Sequence, residues 1–502
     1  MAKKNQVTEA KVASLKEKIE KLRNENHNLK RKVKRMEERK AAEKAERLEA
    51  QAQRSWRTEE VTRESMDDIK KTDGCGSGQQ VIGSDGLGNV EGYRFKEEII
   101  KAAMLLYIYG GNSFRAVEKS MEVFDFVFPF LGLDVPSHVT VRDWVLKAGL
   151  DTYAHRCKDL SVDEAYAIVM DESVTIAEHK ILLALKTSAQ HPGKPLTHSD
   201  VEVVDIHVAP SHNSSDVADA VDRITETAGH SPEYAVTDNG TSLAKGLKDA
   251  GLDGHRDISH TFGTFLKAVY DRDEQYASLT KAIGNARHYA LTDVDYLMPC
   301  NMRALARYMN VFGWIHWARN MMEASDKLSQ KERKMYSFVW EHGSMVEELE
   351  EVAECYEKVL SICKSEGLSR KTAKECTDVI NRSLMGRGDR LTRLAGMLLG
   401  YFQKETVLLN TEEDAHNVSS DIIESSFGYF KERKSDNRMY GVTGFVMILP
   451  LHTKLSTLDS ARGFDFKGCL ERTHSADLKA WSRQNLPENL AARRVRILKN
   501  AV

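Results

Sequence analysis

Apolar residues recur at alternating steps of three and four from Val12 to Met36: Val12, Leu15, Ile19, Leu22, Leu29, Val33 and Met36. The run reads as a heptad with Val12, Ile19, Asn26 and Val33 at a and Leu15, Leu22, Leu29 and Met36 at d. β-Branched a residues with Leu at d favour two parallel strands, and one Asn at a fixes register and dimer state. The first Gly is Gly74 and the first Pro is Pro129, so nothing breaks a helix over residues 8–55. The pattern predicts a parallel two-stranded coiled coil; the alternative is one amphipathic helix packed on its own domain.

Gly-rich residues 72–92 follow, and they read as a flexible linker without a phosphate-binding loop. Residues 95–150 then show three short helical periods. Phe114, Val117, Met121, Phe124 and Phe128 share one face of the second. The third opens at Ser137, a plausible N-cap, and is expected to close at Gly149. This block resembles a helix-turn-helix whose third helix turns Ser137, His138, Thr140, Arg142 and Lys147 outward, toward base edges and phosphates.

Between 160 and 260 the period changes to that of strands. "AYAIVMDES", "KILLALKTSA" and "DVEVVDIHVA" are three strands in hairpin order. A helix, the strand "EYAVTDNG", a second helix and a short fifth strand in "HRDISH" follow. Three hairpin-ordered strands followed by helix–strand–helix–strand is the order of a ribonuclease-H-like core. Residues 262–418 read as helical with Pro299 as the only proline, too long for a loop and best taken as an inserted helical domain. "SSDIIESSFGYFKERK", 419–434, predicts a helix that packs through Ile422, Ile423, Phe427 and Phe430.

Composition sets the class. The chain has 502 residues, 41% apolar and 29% charged, which suits a multidomain globular protein. No apolar run is long enough to span a membrane, and the N-terminus has no signal-peptide core. The seven scattered cysteines contain no C-x-x-C and read as reduced thiols, so a cytoplasmic location is expected, nucleoid-associated in a prokaryote. Net charge is −3, yet residues 1–60 carry 18 Lys/Arg against 11 Asp/Glu, and the C-terminus is basic again. Basic ends on a near-neutral body fit a polyanion, or are simply solvated helix faces.

The chemistry lies in acids at strand ends. Asp171 ends the first strand and Asp238 the fourth, and in this strand order those two strands are neighbours. A buried carboxylate is costly unless paired, hydrogen-bonded or metal-bound. With a third acid from a later helix the set could cage two divalent cations, which prefer hard oxygen ligands. Strand alternation turns Glu172 to the opposite face from Asp171.

"MDES", "TDNG" and "IIESSFGYFK" resemble the three acidic elements of DDE transposases and retroviral-type integrases. The resemblance spans roughly 95–450 and implies Asp171, Asp238 and Glu424 as catalytic and metal-binding residues, with two Mg²⁺ ions that Mn²⁺ can replace. Glu424 and Lys431 match the E-x6-K spacing of one bacterial transposase signature, whose preceding tyrosine and arginine fall here on Asn417 and Ser420. Lys431 and Lys434 become DNA-phosphate contacts. The 186 positions between Asp238 and Glu424 are similar to the large helical insertion of hAT-like transposases. Those carry C-x-x-H after the second acid, where this chain has Asp257 and His260. His260 either contacts the scissile phosphate or is a satisfied core histidine. Trp314 and Trp317, in the insertion, either stack on a flipped base or pack inside.

The expected organisation is multidomain α and α/β: a coiled-coil dimerisation region (1–58), a linker (59–94), a helix-turn-helix DNA-binding domain (95–152), the first part of a ribonuclease-H-like core (160–261), a helical insertion (262–415), the second part of the core (416–460) and a basic C-terminal tail (461–502). The implied activity is cleavage of transposon ends and joining of 3′-hydroxyls to target double-stranded DNA by a homodimer, with no membrane partner. A non-enzymatic dimeric DNA-binding regulator and a structure-selective nuclease on the same core are the alternatives.

Overall fold

The computed structural model describes residues 90–238, 240–289, 294–299 and 311–499. The coiled-coil segment, nearly all of the linker and Asn239 of "TDNG" lie outside the described residues.

One five-stranded sheet organises the α/β part. Its strands are β1 (Tyr166–Glu172), β2 (Lys180–Ser188), β3 (Glu202–Ala209), β4 (Ala235–Thr237) and β5 (Gly254–Arg256), in the order β3-β2-β1-β4-β5. β1, β2 and β3 are joined antiparallel, whereas β4 runs parallel to β1 and β5 parallel to β4. This is the hairpin-then-crossover order read from the sequence. β1 is apolar on both faces because helices cover both. Ile168 and Met170 pack with Val217, Ile224 and Leu247 on one side, while Ala167 and Val169 face the other.

Helices α1 (Glu97–Ile108), α2 (Phe114–Val127) and α3 (His138–Ala154) precede the sheet. They share one hydrophobic core with its second face, and so do not pack as a free-standing domain. α3 does not stop at Gly149. A Cβ there would lie 2.0 Å from the Met447 carbonyl oxygen, so this glycine sits inside the helix where another backbone presses against it. The predicted inward stripe of α2 holds only at its start: Val117 and Met121 are buried, but Phe124 and Phe128 are exposed. The last turns of α2 run past the body they would have packed on.

α4 (Ser214–Ala228) and α5 (Thr241–Asp249) cover the other sheet face. The fifth strand is shorter than "HRDISH", because Asp257 caps α6 (Ile258–Tyr270) and turns the chain into a helix. From Ile258 to Val418 the chain builds a second hydrophobic core that includes α6, α7 (Glu274–Tyr289), α8 (Val311–Glu323), α9 (Gln330–Met335), α10 (Phe338–Glu341), α11 (Gly343–Glu366), α12 (Arg370–Ser383) and α13 (Asp389–Glu405). α14 (Asp421–Arg433) returns to the sheet through Ile422, Ile423, Phe427 and Phe430.

The described residues of the expected basic tail, 461–499, are instead folded, continuing a run of helices that begins before them. α15 (Ile448–Leu455), α16 (Leu458–Arg462), α17 (Phe466–Arg472), α18 (Ser475–Asn485) and α19 (Leu490–Lys499) follow one another. α15, α17 and α18 pack on α3. Arg472 clamps Asp151 of α3 through two hydrogen bonds of 3.1 and 2.8 Å. No described helix is long and apolar enough to cross a membrane. Among the described residues, Cys157, Cys355, Cys363, Cys376 and Cys469 are free thiols.

Candidate active site

Parallel pairing of β1 with β4 ends at Met170 and Thr237. Asp171 and Asp238 are the next residue on each strand. They therefore leave adjacent strand ends toward one face, the face that Val169 and Val236 share with α14. Backbone donors hold both: Asp171 Oδ1 accepts from the Glu172 N–H at 2.6 Å, and Asp238 Oδ1 from the Gly240 N–H at 2.7 Å. Glu172 points the other way and bonds Lys180 and His212.

Glu424 reaches this face from the first turn of α14. Its Oε1 lies 3.0 Å from His260 Nε2, on the first turn of α6. A buried residue sets this meeting. Asp257 Oδ1 accepts from the His260 N–H at 2.7 Å, and Oδ2 accepts from the Ser420 N–H at 2.6 Å and the Ser420 hydroxyl at 3.0 Å. The Asp257 N–H in turn donates to the Thr237 carbonyl at 2.7 Å, beside Asp238. One carboxylate thus ties the end of β4, the start of α6 and the start of α14 together. The sequence showed Asp257 only as a neighbour of His260; its role depends on Ser420, 163 positions away.

The electrostatics follow from this convergence. Burial first, and then the charge of Asp238, push the Asp171 carboxyl up to about 7. The Glu424 carboxylate raises His260 to about 9 through their hydrogen bond, with Asp257 and Asp238 adding to it, so the imidazole is cationic at neutral pH. Lys431 lies two turns further along the same face of α14; burial lowers its value, against the negative charge of Asp171 and Glu424. Lys364 of α11 pairs with Asp421. Asp171 feels the negative charge of both Asp238 and Glu424, and three carboxylates offer the hard oxygen donors that fit Mg²⁺. A cleft of about 640 Å³ opens beside Asp238, with Lys248 and Arg256 among its lining residues.

The other expected contacts divide. Ser137 is exposed, but its hydroxyl caps α3 by accepting from the Thr140 N–H at 3.2 Å. Arg142 is exposed and lines a groove with Lys479 and Arg483 of α18, two bases the sequence reading did not connect to it. Lys147 is not outward: it is 8% exposed, paired with Asp143 at 2.6 Å and bonded to the Tyr93 hydroxyl. The amphipathic reading of α3 fails there because α3 is enclosed along its second half. Lys434 caps α14 and donates to the Ser435 carbonyl. Trp314 is fully buried in the helical core and Trp317 donates to the Leu297 carbonyl at 2.8 Å, so neither is a free stacking platform.

No protein-family model matches the chain, and no curated protein matches it in sequence. Among solved structures the chain is similar to one titled Drosophila P element transposase strand transfer complex, at 14% identity and a TM-score of 0.37, over 81% of this chain and all of that one.

Proposed function

We propose that the protein is a DDE-type DNA transposase with a ribonuclease-H-like core, which cleaves the ends of its element and joins the 3′-hydroxyls to target DNA. The observation that carries this reading is the placement of Asp171 and Asp238 at neighbouring parallel strands, with Glu424, 186 positions later, on a helix that packs on the same sheet face, from which it acts on the Asp171 charge. Such a convergence is what two-metal phosphodiester chemistry requires. Asp171, Asp238 and Glu424 would hold the Mg²⁺ ions, which when bound activate the attacking water or 3′-hydroxyl and stabilise the leaving oxygen.

The chain's own residues do the rest. His260, cationic through Glu424, presents positive charge to the scissile phosphate and holds Glu424 in place. Lys431 meets an adjacent phosphate. Arg142, Lys479 and Arg483 offer a basic groove for duplex DNA. The coil over 1–58 pairs two protomers so that two ends meet in one complex. Light scattering that reports a monomer, unchanged on replacing Asn26 by Val, removes that last element.

The test is divalent-cation-dependent cleavage and strand joining on labelled duplexes that carry the element's flanking ends. Wild type runs beside Asp171→Ala, Asp238→Ala and Glu424→Ala. The reading expects wild type to cut and join, and each variant to bind without cutting. Binding with no cutting by wild type in Mg²⁺ or Mn²⁺ favours a regulator. Cutting without joining or end preference favours a nuclease.

A further inference from the structure

A second group of ligating side chains lies at the other end of β4. Glu233 precedes that strand by two residues and Asp238 by five, which separates the two sites by roughly 16 Å of extended chain. Glu233, Asp414 and His416 place one ligand atom each within 4.8 Å of one another.

His416 is the centre of the group. It is 1% exposed. Its backbone pairs with Leu368 on both sides, at 2.9 and 2.7 Å, and its ring stacks on Tyr234 with centroids 4.1 Å apart. The Tyr234 hydroxyl is itself fixed, donating to the Ala189 carbonyl at 2.9 Å and accepting from the Asn417 N–H at 2.8 Å. The imidazole therefore cannot turn away.

A relay of hydrogen bonds decides which His416 nitrogen carries a proton. Glu405 Oε2 lies 2.9 Å from His255 Nδ1, and His255 Nε2 lies 2.9 Å from His416 Nδ1. A carboxylate only accepts, so His255 Nδ1 carries hydrogen, and in the neutral ring Nε2 then offers a lone pair. His416 Nδ1 must then donate. His416 Nε2 is left with a lone pair, buried and without a hydrogen-bond partner. What it faces is more acceptors: Glu233 Oε1 at 4.0 Å, and Asp414. Asp414 is oriented by the N–H groups of Asn410 and Thr411 at 2.7 and 2.8 Å and by the Thr411 hydroxyl at 2.6 Å, which leave it lone pairs to spare. The lone pair of buried His416 facing further acceptors with no donor among them is costly, and a cation held between it, buried Asp414 and exposed Glu233 removes the cost.

We propose that His416, Asp414 and Glu233 bind one divalent transition-metal ion of the Zn²⁺ class, with water completing its coordination. An imidazole nitrogen beside two carboxylates suits a borderline metal rather than Mg²⁺ or Ca²⁺. His255 and Glu405 supply the outer hydrogen bonds that fix the ligating tautomer. The ion fastens the 410–418 loop to the start of β4, and its site does not depend on the transposase reading.

The test uses the full chain in an Asp171→Asn/Asp238→Asn background, which removes the first acid cluster as a competing site. The protein is stripped with a chelator and titrated with Zn²⁺ by equilibrium dialysis, and with Co²⁺ by visible absorption. The expected result is one tightly bound equivalent, a Co²⁺ ligand-field band and a melting temperature raised by a few degrees, all reversed by the chelator. Glu233→Gln, on a partly exposed side chain, weakens binding by at least the roughly 10–100-fold that loss of an outer-shell partner costs. His416→Gln abolishes it. Failure to bind Zn²⁺ tightly, or binding undiminished in Glu233→Gln, overturns the proposal. So does a doubly protonated His416 ring at neutral pH by NMR.

Discussion

Asp257 Oδ2 accepts the backbone N–H of Ser420 at 2.6 Å, inside the protein and across 163 positions of sequence. Through that bond the start of the helix bearing Glu424 is fixed against the start of the helix bearing His260. Asp257→Asn keeps the shape but turns an NH₂ group toward the Ser420 donors or loses the His260 N–H bond. The expected cost is about 2–4 kcal/mol, typical of breaking a buried, charge-assisted set. Urea titration measures it. Under the transposase reading, cleavage at saturating DNA falls together with the His260–Glu424 contact, while DNA affinity holds.

Asp171 shapes the pH dependence of the metal-free protein. Its folded value of about 7 stands above the ordinary value of about 4, so the folded state keeps a proton that the unfolded state releases. Stability attributable to this group is present below pH ~4 and is lost as pH rises through ~7. Asp171→Asn flattens that slope and makes the metal-free protein more stable at pH 8, by of order 2–4 kcal/mol. Thermal melts from pH 5 to 8, with and without Mg²⁺, check it. An Asp171→Asn curve parallel to wild type refutes it.

His260 contributes in a different window. Its folded value near 9 lies above the ordinary value of about 6.5. Its stabilising pair with Glu424 is complete below pH ~6.5 and fades as pH rises through ~9. His260→Gln is expected to destabilise at pH 6.5 and to converge with wild type above pH 9. The loss is modest, about 1 kcal/mol, because Glu424 is exposed.

Gly149→Ala drives a methyl group into the Met447 carbonyl. Helix propensity alone would favour alanine, but overpacking is expected to cost about 1–3 kcal/mol. A variant as stable as wild type would mean that α3 and the 444–447 turn are not in close contact.

Under the transposase reading, Arg142 and Lys147 separate a base offered to DNA from one that holds the fold. Arg142→Ala is expected to weaken DNA binding across sequences and to lower the salt slope by about 1. Lys147→Met leaves the salt slope unchanged and destabilises the fold, because it removes the enclosed ammonium's bonds to Asp143 and to the Tyr93 hydroxyl. Binding isotherms at several salt concentrations distinguish the two.

Periodicity and chain order carry the part of this fold that is legible in the chain. The apolar runs of "AYAIVMDES" and "EYAVTDNG" are enough to place Asp171 on one strand and Asp238 at the end of another, and their order implies that the two strands are neighbours, because hairpin-ordered strands followed by a crossover leave few topologies. Ile422, Ile423, Phe427 and Phe430 marked the Glu424 helix in the same way. Burial and long-range pairing were decided only by the tertiary structure. Lys147 reads as polar, yet later helices enclose it. Gly149 reads as a helix stop, yet Met447 presses on it from almost three hundred residues away. Asp257 and Ser420, like Glu233 and His416, carry no local signal: each gains its role from a partner that only folding brings near.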